Sequence, residues 1–140
     1  MKKIVFVCLG NICRSPMAEF VMKSLTDQLK IESRATSSWE HGNPIHRGTQ
    51  AIFKKYAISY DRNKTSQQIS TADFADFDYI IGMDESNVRD LKRMAPEDFQ
   101  HKIYQFEEES VPDPWYTGDF DQTYDLVLAG CKKWLERLDG

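Results

Sequence analysis

The run Lys3-Ile4-Val5-Phe6-Val7 places four apolar residues in unbroken succession and then stops at a loop containing glycine. Continuous hydrophobicity over so short a stretch is the pattern of a strand buried on both faces, as in a parallel sheet. Directly after the loop the period changes. Ala18, Val21, Met22, Leu25 and Leu29 recur at the spacing of an amphipathic helix. Ser15 followed by Pro16 predicts its start, a capping residue and then proline in the first turn. Further strands are predicted over residues 34–38, 79–83 and 102–106, and helices over 49–56, from a Ser70/Asp73 capping box, and over 85–94. Tyr124, Val127, Leu128, Cys131, Leu135 and Leu138 keep helical spacing near the C-terminus. This alternation predicts an α/β three-layer sandwich, a central parallel sheet of about four strands flanked by helices and joined by right-handed crossovers. Ligands of such sheets bind beyond the carboxyl ends of the strands, which is where Cys8 stands.

Composition narrows the picture. With 140 residues, 41% hydrophobic and 29% charged, one domain spanning 1–140 is expected. The net charge is −4, and no Lys/Arg block exceeds a pair, so nucleic acid and membrane surfaces are not expected partners. The apolar run before Cys8 is too short for a signal-peptide core or for the roughly 20 residues of a membrane span, which predicts a cytoplasmic protein. Cys8, Cys13 and Cys131 are sparse and odd in number, unlike a disulfide framework or a zinc site. His41, His46 and His101 show no metal-ligand spacing, so neither metal nor cofactor is expected.

The chemistry is concentrated in Cys8-Leu9-Gly10-Asn11-Ile12-Cys13-Arg14-Ser15, between the predicted buried strand and a helix N-terminus. There backbone N–H groups and the helix dipole converge on an anion. Gly10 and Asn11 are the residues best able to take positive φ and curl successive amides into a nest around tetrahedral oxygens. Arg14 can present a planar fork to two phosphate oxygens, a fit that lysine lacks. The same surroundings, with the Ser15 hydroxyl as a donor, favour a thiolate at Cys8, a nucleophile beneath a bound phosphate. The chain contains its own control: Cys131 and Arg137 share the Cys-x5-Arg spacing but lie within a helical pattern without glycine or a preceding strand, where no free amides can hold an anion.

The segment from Val7 to Glu19, Val7-Cys8-Leu9-Gly10-Asn11-Ile12-Cys13-Arg14-Ser15-Pro16-Met17-Ala18-Glu19, resembles the signature of the low molecular weight protein tyrosine phosphatases. The likeness continues through Phe77-Asp78-Tyr79-Ile80 and Met83-Asp84-Glu85-Ser86-Asn87 to an Asp-Pro-aromatic segment. It implies a four-stranded parallel sheet, no metal, and a phosphocysteine intermediate. Many family members carry a histidine that supports the loop through its Asn and Ser. The corresponding region here, Asp61-Arg62-Asn63-Lys64-Thr65-Ser66-Gln67, has none, leaving Lys64 as the candidate donor in its place.

An aryl leaving group needs a proton. Val111-Pro112-Asp113-Pro114-Trp115-Tyr116 supplies the candidate acid, Asp113, held in a restricted backbone by two prolines. It would protonate the leaving oxygen and then, as carboxylate, activate water. Trp39, Trp115 and Tyr116 offer flat apolar walls for an aromatic ring, and a deep slot favours phosphotyrosine over phosphoserine by reach. Leu9, Gly10, Asn11, Ile12, Cys13 and Ser15 complete the expected substrate contacts. Cys13 is close enough to Cys8 along the loop for a protective disulfide, which would make the activity redox-sensitive.

Protein-arginine phosphatases of similar sequence tend to carry threonine where this chain has Ile12 and a smaller residue after Asp-Pro. An arsenate reductase of the same fold would need further cysteines near Ile81-Gly82-Met83-Asp84, where there are none. A phosphoprotein-binding module would have no use for both a nucleophile and an acid. The resulting expectation is a monomeric enzyme acting on tyrosine-phosphorylated proteins, with Cys8, Arg14 and Asp113 as its catalytic residues.

Overall fold

The computed structural model describes residues 1–139. Strand β1 (Lys3–Cys8) leads through the Cys8 loop to helix α1 (Arg14–Leu25). There follow β2 (Lys30–Ala35), α2 (Arg47–Lys55), α3 (Thr71–Asp76), β3 (Tyr79–Gly82) and α4 (Glu85–Met94). After a 3-10 turn at Glu97–Lys102 come β4 (Ile103–Gln105), α5 (Pro114–Thr117) and α6 (Phe120–Asp139). The four strands form one parallel sheet in the order β2-β1-β3-β4. Because successive side chains of a strand point to opposite faces, β1 serves two cores at once. Ile4 and Phe6 pack with Val21 and Met22 of α1 and with Val127, Cys131 and Trp134 of α6. Val5 and Val7 pack on the other face with Phe74, Phe77 and Leu91. The architecture is the three-layer α/β sandwich that the apolar patterns predict.

Several boundaries differ from those patterns. Strand β2 occupies Lys30–Ala35, earlier than the predicted 34–38, because polar Ser33 and Arg34 lie buried within it. Helix α1 ends at Leu25, so Leu29 packs against the core from the following loop. The α1 N-cap is Cys13 and makes no side-chain capping bond. Ser15 is inside the first turn, not at the cap, and its hydroxyl is used elsewhere. The Ser70/Asp73 capping box is present, and a second, formed by Asp84 and Asn87, opens α4.

Candidate active site

The loop from Cys8 to Arg14 is held by its carbonyls. Cys8 O accepts from Thr36 N–H (2.9 Å), Leu9 O from Ser37 N–H (3.1 Å), and Ile12 O from His46 N–H (2.9 Å). Gly10 O accepts from the Ser66 hydroxyl (2.8 Å) and Cys13 O from that of Thr49 (3.2 Å). With the carbonyls drawn outward, the loop amides are freed for an anion. Among the described residues, those of Gly10, Ile12 and Cys13 make no hydrogen bond to protein. Asn11 takes the left-handed conformation (φ 55°), whereas Gly10 does not. The expectation of positive φ at both is corrected for Gly10, where an added Cβ would stand 3.3 Å from Glu40 Cγ, a tight contact.

The sulfur of Cys8 is surrounded by donors. Asn11 N–H and Ser15 N–H point to it at 3.3 and 3.4 Å, and the Ser15 hydroxyl stands 3.0 Å away. Asn11 Nδ2 donates to Ser15 Oγ (2.8 Å) and to Ser33 Oγ (2.9 Å), and Ser33 Oγ donates to Glu19 Oε1 (2.6 Å). A buried polar chain thus runs from the sulfur to a carboxylate on α1. Lys64 does not reach Asn11 or Ser15. It acts one step behind them, donating to Ser33 O (2.9 Å) and pairing with Glu19 (3.4 Å). Burial lowers the Lys64 pKa, with Arg34 adding to the effect and Glu19 opposing it. Glu19 escaped the sequence reading because nothing local distinguishes it from an exposed helical glutamate.

Arg14 is buried to 2% exposure. Its Nη1 donates to Asp84 Oδ2 (2.6 Å) and Val111 O (3.0 Å), and Nη2 reaches Asp113 Oδ2 at 3.4 Å. Its Nε, although buried, has no partner among the described residues. Burial opposes the guanidinium charge, but the Cys8 sulfur, the Asp84 hydrogen bond and the charges of Asp84 and Asp113 outweigh it and raise the pKa. Asp84 is a further residue that the sequence reading did not single out. Its signal was the capping box at the carboxyl end of β3, on the same sheet edge as Cys8. Cys13 is a free thiol, as is Cys8. Burial pushes the Cys13 thiol pKa up, Cys8 and Asp113 add to this, and Arg14 pulls against it.

Above the loop lies a cavity of about 140 Å³ bounded by Leu9, Ile12, Trp39, Glu40, Asp113, Trp115 and Tyr116. All three aromatic residues expected to form walls border it, and Trp39 and Tyr116 stand at its mouth, 78% and 77% exposed. Asp113 caps α5, its Oδ1 accepting from Trp115 N–H at 3.0 Å, with Pro114 in the first turn. The structure brings Cys8 and Asp113 to one cavity, and Arg14 reaches Asp113 across 99 residues of sequence. Glu40 joins them there without having been anticipated.

Comparison with known proteins identifies the family. The low molecular weight protein-tyrosine-phosphatase PtpA of Staphylococcus aureus is 45% identical over 141 residues, covering 94% of this chain and 90% of its own. The crystal structure of SP-PTP, a low molecular weight protein tyrosine phosphatase from Streptococcus pyogenes, superposes with a TM-score of 0.97 at 64% identity, over 99% of this chain and 93% of that one. A Drosophila arginine phosphatase, DARP, superposes with a TM-score of 0.89 at 32% identity, over 100% and 99% of the two chains. The profile of the low molecular weight phosphotyrosine protein phosphatases matches residues 3–140. The chain belongs to this family and is a phosphatase of its type.

Proposed function

We propose that the chain hydrolyses phosphotyrosine in proteins through a phosphocysteine intermediate, with Cys8 as nucleophile, Arg14 as phosphate clamp and Asp113 as general acid and then base. The observation that carries this reading is the buried Arg14 Nε, which has no partner among the described residues, together with the loop amides of Gly10, Ile12 and Cys13, which likewise have none there. Buried polar groups left open in a folded protein demand an explanation. A phosphate dianion supplies one, because its oxygens would accept from Nε, from Nη2 and from the loop amides together.

In the first step the Cys8 sulfur attacks phosphorus, the P–O(aryl) bond breaks, and protonated Asp113 gives its proton to the departing phenolate oxygen. In the second, Asp113 as carboxylate takes a proton from water, the water oxygen attacks phosphorus, and the P–S bond breaks to release phosphate and the thiolate. The donors converging on Cys8 Sγ stabilise the sulfur as both attacking and leaving group. Trp39, Trp115 and Tyr116 supply the apolar faces between which a phenyl ring would sit. SP-PTP and PtpA, by their names tyrosine phosphatases, support tyrosine as the phosphorylated residue.

A phosphoarginine substrate is the second reading, favoured by the likeness to DARP. Ile12 and the Trp115-Tyr116 pair at the cavity weigh for tyrosine. For an arsenate reductase, the one cysteine outside the loop, Cys131, is fully buried and directed at Ala18 O at 3.8 Å, so it offers no relay to the site.

The test is turnover of p-nitrophenyl phosphate and of matched phosphotyrosine, phosphoserine and phosphoarginine peptides by wild type, Cys8→Ser and Asp113→Ala. The expected result is hydrolysis of the aryl esters, no activity in Cys8→Ser, and a loss of roughly 10² to 10⁴ in Asp113→Ala. Faster hydrolysis of the phosphoarginine peptide would overturn the assignment to tyrosine.

A further inference from the structure

His46 lies outside the phosphate loop yet contacts the loop carbonyl of Ile12, the head of α6 and Trp115. Its backbone N–H donates to Ile12 O at 2.9 Å. Its Nδ1 accepts from Gly48 N–H at 2.9 Å, which caps α2. One face of the ring stacks on Phe120 at the head of α6, with centroids 5.1 Å apart and planes 18° apart. Trp115 meets the ring nearly at right angles, at 5.6 Å and 79°. Trp115 N–H in turn donates to Asp113 Oδ1 at 3.0 Å.

Capping accounts for only one of these contacts. An N-cap needs a side-chain acceptor, and serine, aspartate or asparagine meets that need at least as well as histidine. The aromatic faces serve no capping purpose, and they are the surfaces that join Phe120 to Trp115. The ring of Phe120 is seated against α2 at Gly48, where an added Cβ would meet it at 2.3 Å. The Trp115 side of the Asp113 turn therefore leans, through His46, on a ring seated against α2. The opposite side of the turn is exposed at Tyr116.

We infer that the His46 ring is a positioning element that fixes the Asp113–Trp115 turn relative to the phosphate loop, and so governs how well the leaving group is protonated. This rests on the acid role given to Asp113 above. His46 itself does not touch the reacting atoms; it acts through Trp115.

The two jobs of His46 can be separated. His46→Asn keeps a capping acceptor and deletes the ring, whereas His46→Phe keeps a ring and deletes the acceptor. All variants retain the backbone bond to Ile12 O, so the phosphate loop keeps that support. Wild-type turnover of p-nitrophenyl phosphate is measured first, and its absence would count against the proposed function. Each variant is then compared on phenyl phosphate, whose leaving group needs the proton, and on p-nitrophenyl phosphate, whose leaving group needs it less.

In His46→Asn, kcat on phenyl phosphate should fall about 2- to 10-fold further than on p-nitrophenyl phosphate, the range expected for one aromatic contact. Inhibition by inorganic phosphate should move by less than about 2-fold, because the loop contact is to backbone. His46→Phe should restore the wild-type leaving-group ratio even if its thermal stability is lower. In a Trp115→Ala background, His46→Asn should have no additional effect on the ratio, since the contact it serves is already gone. An unchanged ratio in His46→Asn, or an equal change in His46→Phe, would overturn the inference. Should His46→Asn fold poorly, His46→Ser, which also keeps a capping acceptor and deletes the ring, takes its place: its leaving-group ratio must fall as that of His46→Asn should, and an unchanged ratio overturns the inference.

Discussion

Glu19 is the carboxylate on which the buried polar chain behind the phosphate loop ends, so its removal should be far more damaging than loss of a surface glutamate. Its side chain is 4% exposed. It accepts from Ser33 Oγ at 2.6 Å and pairs with Lys23 at 2.7 Å and Lys64 at 3.4 Å. Lys23 is 43% exposed and returns to water when the carboxylate is lost, at almost no cost. Lys64, only 13% exposed, cannot, and its remaining acceptor is the Ser33 carbonyl. Glu19→Leu therefore strands a buried ammonium, for which about 3–5 kcal/mol is the usual penalty. That is a large part of the 5–15 kcal/mol, roughly, by which ordinary domains are stable.

The double variant Glu19→Leu/Lys64→Met removes both charges and should recover most of the loss, because replacing a buried pair by apolar groups is often near neutral. Urea denaturation of wild type, both single variants and the double variant closes the cycle and reads the coupling directly. Turnover of p-nitrophenyl phosphate is followed alongside, since Ser33 also holds the Asn11 carboxamide and hence the loop. A penalty below about 1 kcal/mol for Glu19→Leu, or a double variant no more stable than that single one, would refute the reasoning.

Arg14→Lys keeps the charge but loses the planar fork and with it the free Nε, so kcat should fall by about 10² to 10³ on p-nitrophenyl phosphate while the fold survives. Lys64 has a folded-state pKa below its ordinary 10.5 because of burial, so between those two values the unfolded chain binds more protons. Its contribution is a cost fully present at neutral pH that is relieved as pH rises toward 10.5; urea titrations should show wild type gaining on Lys64→Met with alkaline pH, and a constant difference would contradict the assignment. Glu40 and Asp113 are the acidic side chains bordering the cavity. Glu40→Gln should thus raise kcat/KM for phosphopeptides with acidic neighbours about 2- to 5-fold at low salt, an effect that high salt should erase.

What was legible in the sequence was what is local. The β1 run, the loop from Cys8 to Arg14 and the periodic stripe of α6 are contiguous, so their patterns could be read without knowing the fold. Asp113 was legible because two prolines mark its turn. The misses share a different cause. Strand β2 was displaced by several residues because its first half alternates polar Lys30, Glu32 and buried Ser33 around a single apolar Ile31, which does not read as a strand. Glu19 looks like any helical glutamate until β2 brings Ser33 to it from 14 residues away. Asp84 reads as a helix cap, and it is one; its second oxygen becomes a counterion only because Arg14 arrives across 70 residues. His46 is likewise defined by Phe120 and Trp115, and no spacing along the chain announces that contact.

The two carboxylates beside Arg14 differ in how firmly they are held, and the difference suits the proposed reaction. Asp84 is tied twice. Its Oδ1 accepts from Asn87 N–H at 2.7 Å, and its own N–H is bonded by the Asn87 side chain, so the residue is locked into the start of α4. Its 2.6 Å contact to Nη1 turns the guanidinium and holds it. Asp113 belongs to a short helical turn between prolines, and its contact with Nη2 is long at 3.4 Å. An incoming phosphate dianion competes for Nη2 with two negative charges against one, so it displaces the weaker partner and leaves the stronger in place. In the proposed reaction, displacement would free the Asp113 carboxyl oxygen that had faced Arg14, at the moment when a leaving group enters the cavity. Binding and acid catalysis would then be linked by a single nitrogen: the substrate that occupies Nη2 would be the one that releases the group needed to cleave it.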